Sequence, residues 1–118
     1  MALGIPGVDE TIFNNLMDGD EELYISVLSL YIEKTPSVLS KLAAVTKETL
    51  AEYAVTVHGF KGACANICAE EARKMAYNLE LKAKAGDWSG VQAGNTPFIK
   101  YVENILIPNL KDWYENHK

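Results

Sequence analysis

Apolar residues recur at helical spacing along nearly the whole of this chain, and strict apolar–polar alternation persists nowhere. At ~100° per residue, positions three and four apart share a helix face, so the pattern asks for packed helices rather than a sheet. Leu50, Tyr53, Val57, Phe60, Cys64 and Ile67 form one such stripe in a helix read over 48–66. Leu23, Val27, Leu30, Tyr31, Lys34, Val38, Leu42 and Val45 form another, in a helix capped by Asp20 that Pro36 is expected to kink or divide. Ala72, Met75, Ala76, Leu79 and Ala83 mark a third helix over 69–85, stopped by Gly86. Trp88 to Gly94 reads as a turn-rich crossing. Thr96-Pro97 then opens a last helix through Phe98, Tyr101, Val102, Ile105, Leu106, Leu110 and Trp113, with a second kink at Pro108. A short helix over 8–17, capped by Asp9, precedes these, and residues 1–7 read as a linker remnant. The expected fold is all-α: an antiparallel up-down-up-down four-helix bundle over 8–118 with the short N-terminal helix capping one end.

A chain of 118 residues supports one core. Its net charge of −5 lacks the basic footprint that nucleic acid requires. No apolar run approaches the ~20 residues of a membrane span, and the N-terminus lacks the basic-then-apolar pattern of a signal peptide. A monomeric cytoplasmic domain without direct membrane contact is the expectation. Cys64 and Cys68 lie one helical turn apart, a poor geometry for a disulfide. No histidine or carboxylate stands near them at zinc-site spacing, so no metal is expected and both read as small buried thiols.

The residue that carries chemistry is His58. It projects roughly 130° from the centre of the apolar stripe, into water. Its neighbours on the outer face are Ala51, Ala54, Lys61, Gly62 and Ala65, nearly bare backbone apart from the lysine. Gly59 and Gly62 each cost about 1 kcal/mol relative to alanine inside a helix, and Gly62 points outward beside the imidazole. A protruding imidazole in a clearing of small side chains is open to a partner's reactive group. No Gly-rich phosphate loop and no Asp/Asn cluster for Mg²⁺ accompanies it, so a phosphoryl group would have to arrive already activated.

The segment His58-Gly59-Phe60-Lys61-Gly62-Ala63 resembles the His-x-x-Lys-Gly-[Ser/Ala] signature of histidine-containing phosphotransfer domains of two-component phosphorelays. Asp20-Glu21-Glu22-Leu23-Tyr24 and Leu30 to Pro36 are similar to that family's first long helix with its interior proline. Ala65-Asn66-Ile67-Cys68-Ala69-Glu70-Glu71 resembles its turn into the next helix, with Cys68 where glycine is usual, and Ala85-Gly86-Asp87-Trp88 its following turn. The resemblance implies a phosphoryl carrier rather than an enzyme. His58 would accept the group from an aspartate of a response-regulator receiver domain, which brings the Mg²⁺, and pass it to another receiver. It further implies that Lys61 offsets phosphoryl charge, that Gly62 permits close approach, and that Ala51, Ala54, Val55 and Ala65 belong to the docking face. Glu80 matches a position that orients the histidine in several members, and Lys84 a basic position in some; Glu80 reads equally as a surface carboxylate paired with Lys84 at (i, i+4). The linker-like start points to the C-terminal module of a hybrid sensor histidine kinase, and a membrane anchor on the parent chain is compatible with that expectation.

Two other classes compete. A phosphorylation-independent adaptor would dock receivers without needing His58, Lys61 and Gly62 together. An autonomous phosphatase or metal-dependent hydrolase would need a second catalytic cluster, and the chain offers none.

Overall fold

The computed structural model describes residues 3–118. Among them every regular element is helical: α1 (Glu10–Met17), α2 (Glu21–Ala43), a 3₁₀ turn (Lys47–Thr49), α3 (Leu50–Asn66), α4 (Glu70–Lys84), α5 (Trp88–Tyr101) and α6 (Ile107–His117). A π-helical turn, Val102–Leu106, joins α5 to α6 without a break. The described chain therefore forms five helical rods, the first of them short, in a body 44 Å long and 18–24 Å across. Asp9 and Asp20 cap α1 and α2 as expected, their carboxylates accepting from the backbone N–H of Ile12 and Leu23.

α3 and α4 make the most extensive helix–helix contact. The connection between them, Ile67-Cys68-Ala69, is wholly buried, so its backbone polar groups need partners. The Tyr24 hydroxyl donates to the Ile67 carbonyl at 2.7 Å, and the Asp9 N–H to the Cys68 carbonyl at 2.8 Å. Cys68 stands at φ 60°, the left-handed conformation in which glycine is preferred. That is the position where the resemblance expects glycine; the turn is made with cysteine at a cost of about 1–2 kcal/mol. Both cysteines are free and buried.

α2 turns a different face inward from the one its aliphatic spacing suggests. Tyr24, Leu28, Tyr31, Thr35, Leu39 and Leu42 are buried, whereas Leu23 and Leu30 are about half exposed. The polar atoms of the buried set all have partners: the Tyr31 hydroxyl lies 3.5 Å from Cys64 Sγ, and the Thr35 hydroxyl donates to the Tyr31 carbonyl at 2.5 Å. Once satisfied, tyrosine and threonine occupy a core as well as leucine does. Pro36 does not divide α2.

The stretch from Trp88 to Gly94 is helix, not a crossing, and Pro97 lies inside α5 rather than at the start of a helix. Asp87 caps α5 by accepting from the Gly90 N–H at 2.9 Å. The glycines that suggest a turn are places of close approach. A Cβ at Gly90 would run into Asp87, and one at Gly94 would come within 3.0 Å of Leu79 Cδ2 on α4. Further along, the π turn, in which Ile107 N–H bonds the Val102 carbonyl, absorbs the bond that Pro108 cannot make. The N-terminal stretch read as linker also differs over its described part. Leu3 and Ile5 are buried in the core, and Gly4 N–H donates to Glu10 Oε1. Met1 and Ala2 lie outside the described residues.

Asn95 ties three helices together at the end of the body away from the α3–α4 turn. Its side chain is buried, accepts from the Tyr53 hydroxyl at 2.8 Å and donates to the Leu42 carbonyl at 2.9 Å. Asn95→Ala leaves the buried Tyr53 hydroxyl without its acceptor and is expected to cost about 2 kcal/mol. In urea titrations the Tyr53→Phe, Asn95→Ala pair should destabilise by less than the sum of the single changes; strict additivity would show that the bond contributes nothing.

Candidate functional site

His58 stands nine residues before Ile67, and Glu80 eleven after Ala69. At 1.5 Å of rise per residue both lie roughly 15 Å from the buried turn, on helices that fold back along one another. Short connection and helix geometry thus bring them level. His58 Nδ1 is 2.8 Å from Glu80 Oε2. Lys61 Nζ is 2.7 Å from Glu80 Oε1, and Lys84 Nζ 2.7 Å from Oε2. One carboxylate, 2% exposed, therefore holds an imidazole and two ammonium groups.

Those partners hold the Glu80 carboxyl down at about 2, the Lys61 hydrogen bond contributing most and Lys84 next, with His58 adding to them against the opposing effect of burial. At neutral pH the group is a carboxylate and can only accept. The hydrogen between it and the neutral ring therefore sits on Nδ1, which leaves the lone pair on Nε2. The His58 side chain is 62% exposed, so the ring is anchored at one nitrogen and presented to solvent.

Beside the ring lies a shallow cavity of about 230 Å³ lined by Ala54, Val55, His58 and Lys84. Ala51, Val55 and Gly62 are exposed and Ala65 is half-buried. Ala54 departs from the expectation: it is 7% exposed, because it lies on the side of α3 that turns toward α4. A Cβ at Gly59 or at Gly62 would meet nothing within 4 Å. Packing within the domain does not call for glycine at either place.

Tyr77 belongs to the site and sequence reasoning passed it over. The Lys61 ammonium sits 5.0 Å from the centre of its ring, a cation–π contact. Its signal was the spacing of Tyr77, Glu80 and Lys84, which places them on one face of α4. Among the described residues no group of three or more His, Cys, Asp or Glu side chains is placed to hold a metal ion. None of the described helices is long and apolar enough to cross a membrane.

Compared with protein-family models, curated proteins and solved structures, the chain matches none of them.

Two measurements follow from this geometry. The folded-state pKa of Glu80 is below its ordinary 4.5, so the unfolded chain binds the proton first as pH falls. Its stabilisation is complete above about pH 4.5 and lost toward pH 2. The stability difference between the protein and Glu80→Gln should therefore narrow over that window in urea titrations; a constant difference would mean that the carboxylate is not held low. Gly62→Ala should stabilise the free domain by about 0.5–1 kcal/mol, since a methyl there meets open space. A lower melting temperature in that variant would point to an internal constraint on the glycine.

Proposed function

We propose that this domain is a phosphoryl carrier of the histidine-containing phosphotransfer type, accepting the group on His58 from a receiver-domain aspartate and passing it to a second receiver. The observation that carries the reading is the Nδ1–Glu80 bond, which leaves Nε2 as the nucleophilic nitrogen on an exposed ring. The local sequence His58-Gly59-Phe60-Lys61-Gly62-Ala63 and the placing of Glu80 both agree with it. In the finer fold reading, α2, α3, α4 and the continuous α5–α6 rod are the four members of an up-down-up-down bundle, and α1 covers one end. The working compartment is the cytoplasm, where receivers reside.

In the transfer, the Nε2 lone pair forms a bond to phosphorus while the P–O bond of the aspartyl phosphate breaks. The carboxylate of the receiver leaves with that electron pair. The ring gains positive charge through this step, and the Glu80 carboxylate at Nδ1 is fixed beforehand where that charge develops. Lys61 and Lys84 surround the same carboxylate, so the cluster as a whole carries net positive charge when a phosphoryl group arrives. Gly62 leaves room for the partner's backbone and metal. Transfer of this kind needs alignment and charge compensation more than covalent machinery, which suits a site with one reactive side chain on a rigid helix.

The test is incubation with a panel of phosphorylated receiver domains, scoring acid-labile label on the chain. His58→Gln should lose all labelling while its melting temperature stays within a few degrees, because Lys61 and Lys84 still hold both oxygens of Glu80 and the ring itself is largely exposed. Undiminished labelling of that variant, or no labelling of the unaltered protein by any receiver that it binds, would overturn the proposal; the second result favours a docking adaptor.

A further inference from the structure

We infer, resting on that reading, that the two lysines divide the work: Lys84 is the cation that meets the phosphoryl group on Nε2, and Lys61 is a positioning residue that holds Glu80 for the ring. The two ammonium groups are equally close to the carboxylate but differently confined. Lys61 is 22% exposed, lies between Glu80 Oε1 and the face of Tyr77, and does not line the cavity beside His58. Lys84 is 60% exposed and lines that cavity together with the imidazole.

Moving either lysine to a phosphoryl group has a different consequence for the carboxylate. If Lys61 leaves, Oε1 loses its one partner inside a nearly water-free helix interface, which is costly for a charged group. If Lys84 leaves, Oε1 keeps Lys61 and Oε2 keeps His58 Nδ1–H. Lys84 and the ring share Oε2, so departure of Lys84 leaves that oxygen wholly to the Nδ1–H as the ring becomes positive. The flexible stem of an exposed lysine, one helical turn beyond Glu80, is suited to such a move. The confinement of Lys61 and the stacking of its ammonium on Tyr77 are suited to staying.

Phosphoramidate, a small donor that needs no receiver, tests this on the full chain. The Nε2 lone pair attacks phosphorus, the P–N bond of the donor breaks with its electron pair going to nitrogen, and that nitrogen, already protonated in the donor, leaves as ammonia. Labelling rates are compared for the unaltered protein, Lys84→Met, Lys84→Arg and Lys61→Met, with the His58 tautomer ratio of each read by ¹⁵N NMR at one pH. Methionine keeps most of the apolar stem in place. Lys84→Met should label about tenfold more slowly with its tautomer ratio retained, as loss of one charge-assisted contact in the transition state requires, and Lys84→Arg should recover most of the rate. Lys61→Met should lower the share of the Nδ1–H tautomer and slow labelling in the same proportion. A slow Lys61→Met with the tautomer ratio intact, full-rate labelling of Lys84→Met, or no labelling at His58 in the unaltered protein would each overturn the division. Failure with every phosphorylated receiver alongside the expected phosphoramidate pattern would instead sink the phosphorelay reading alone.

Discussion

A carboxylate almost without exposure, Glu80, sits between two helices, and the rest of the site depends on it. Burying an unpaired carboxylate costs several kcal/mol, so the position is tenable only with strong donors on both oxygens. α3 provides His58 and Lys61, three residues apart, and α4 provides Lys84 four residues on. Removal of any of the three leaves the others holding a group that water cannot reach. The same arrangement selects the tautomer of His58, because an ionised acceptor leaves the hydrogen nowhere but on Nδ1. Site chemistry and helix packing are thus consequences of one ion.

Such a pairing needs its two helices level to within an ångström or so, and the means lie away from the site. At one end, the buried Ile67-Cys68-Ala69 turn is pinned by Tyr24 and by the backbone of Asp9. At the other, Asn95 joins Tyr53 of α3 to the end of α2. Between them Gly94 lets α5 lie close on Leu79, one residue before Glu80. The outer face of α3 is the reverse case: around His58 the glycines meet nothing, so helix stability is given up where a visitor would need room. Rigid support beneath and open space above is what a group presented to a partner requires.

Much of this was legible along the chain, and the failures have physical causes. The helical class, the Asp9 and Asp20 caps and the buried stripe of α3 follow from local rules that depend on neighbours a few residues away. The face of α2 departs from its aliphatic spacing because buried Tyr24 and Thr35, which that spacing leaves out, find partners for their hydroxyls. The beginning of α5 was misjudged because Gly90, Gly94 and Pro97 are turn-formers in isolation. Gly90 instead lies against the Asp87 cap three residues back, and Gly94 against Leu79, which lies outside any short window of sequence logic. Leu3 and Ile5 looked like part of a linker because no periodic pattern surrounds them, yet the core had room for both.

For the site, the sequence by itself determined that His58 projects from an apolar stripe among small residues, with Lys61 one turn away, since both facts need only 100° per residue. It left Glu80 open between an orienting partner and a surface carboxylate paired with Lys84. The tertiary structure brings both of those contacts to one carboxylate and buries it. That outcome rests on the length of the α3–α4 turn and the closeness of the helices, which no single-helix rule contains. Tyr77 and the unequal confinement of the two lysines belong to the same category: side-chain spacing sets which residues share a face, and only packing decides which of them water still reaches.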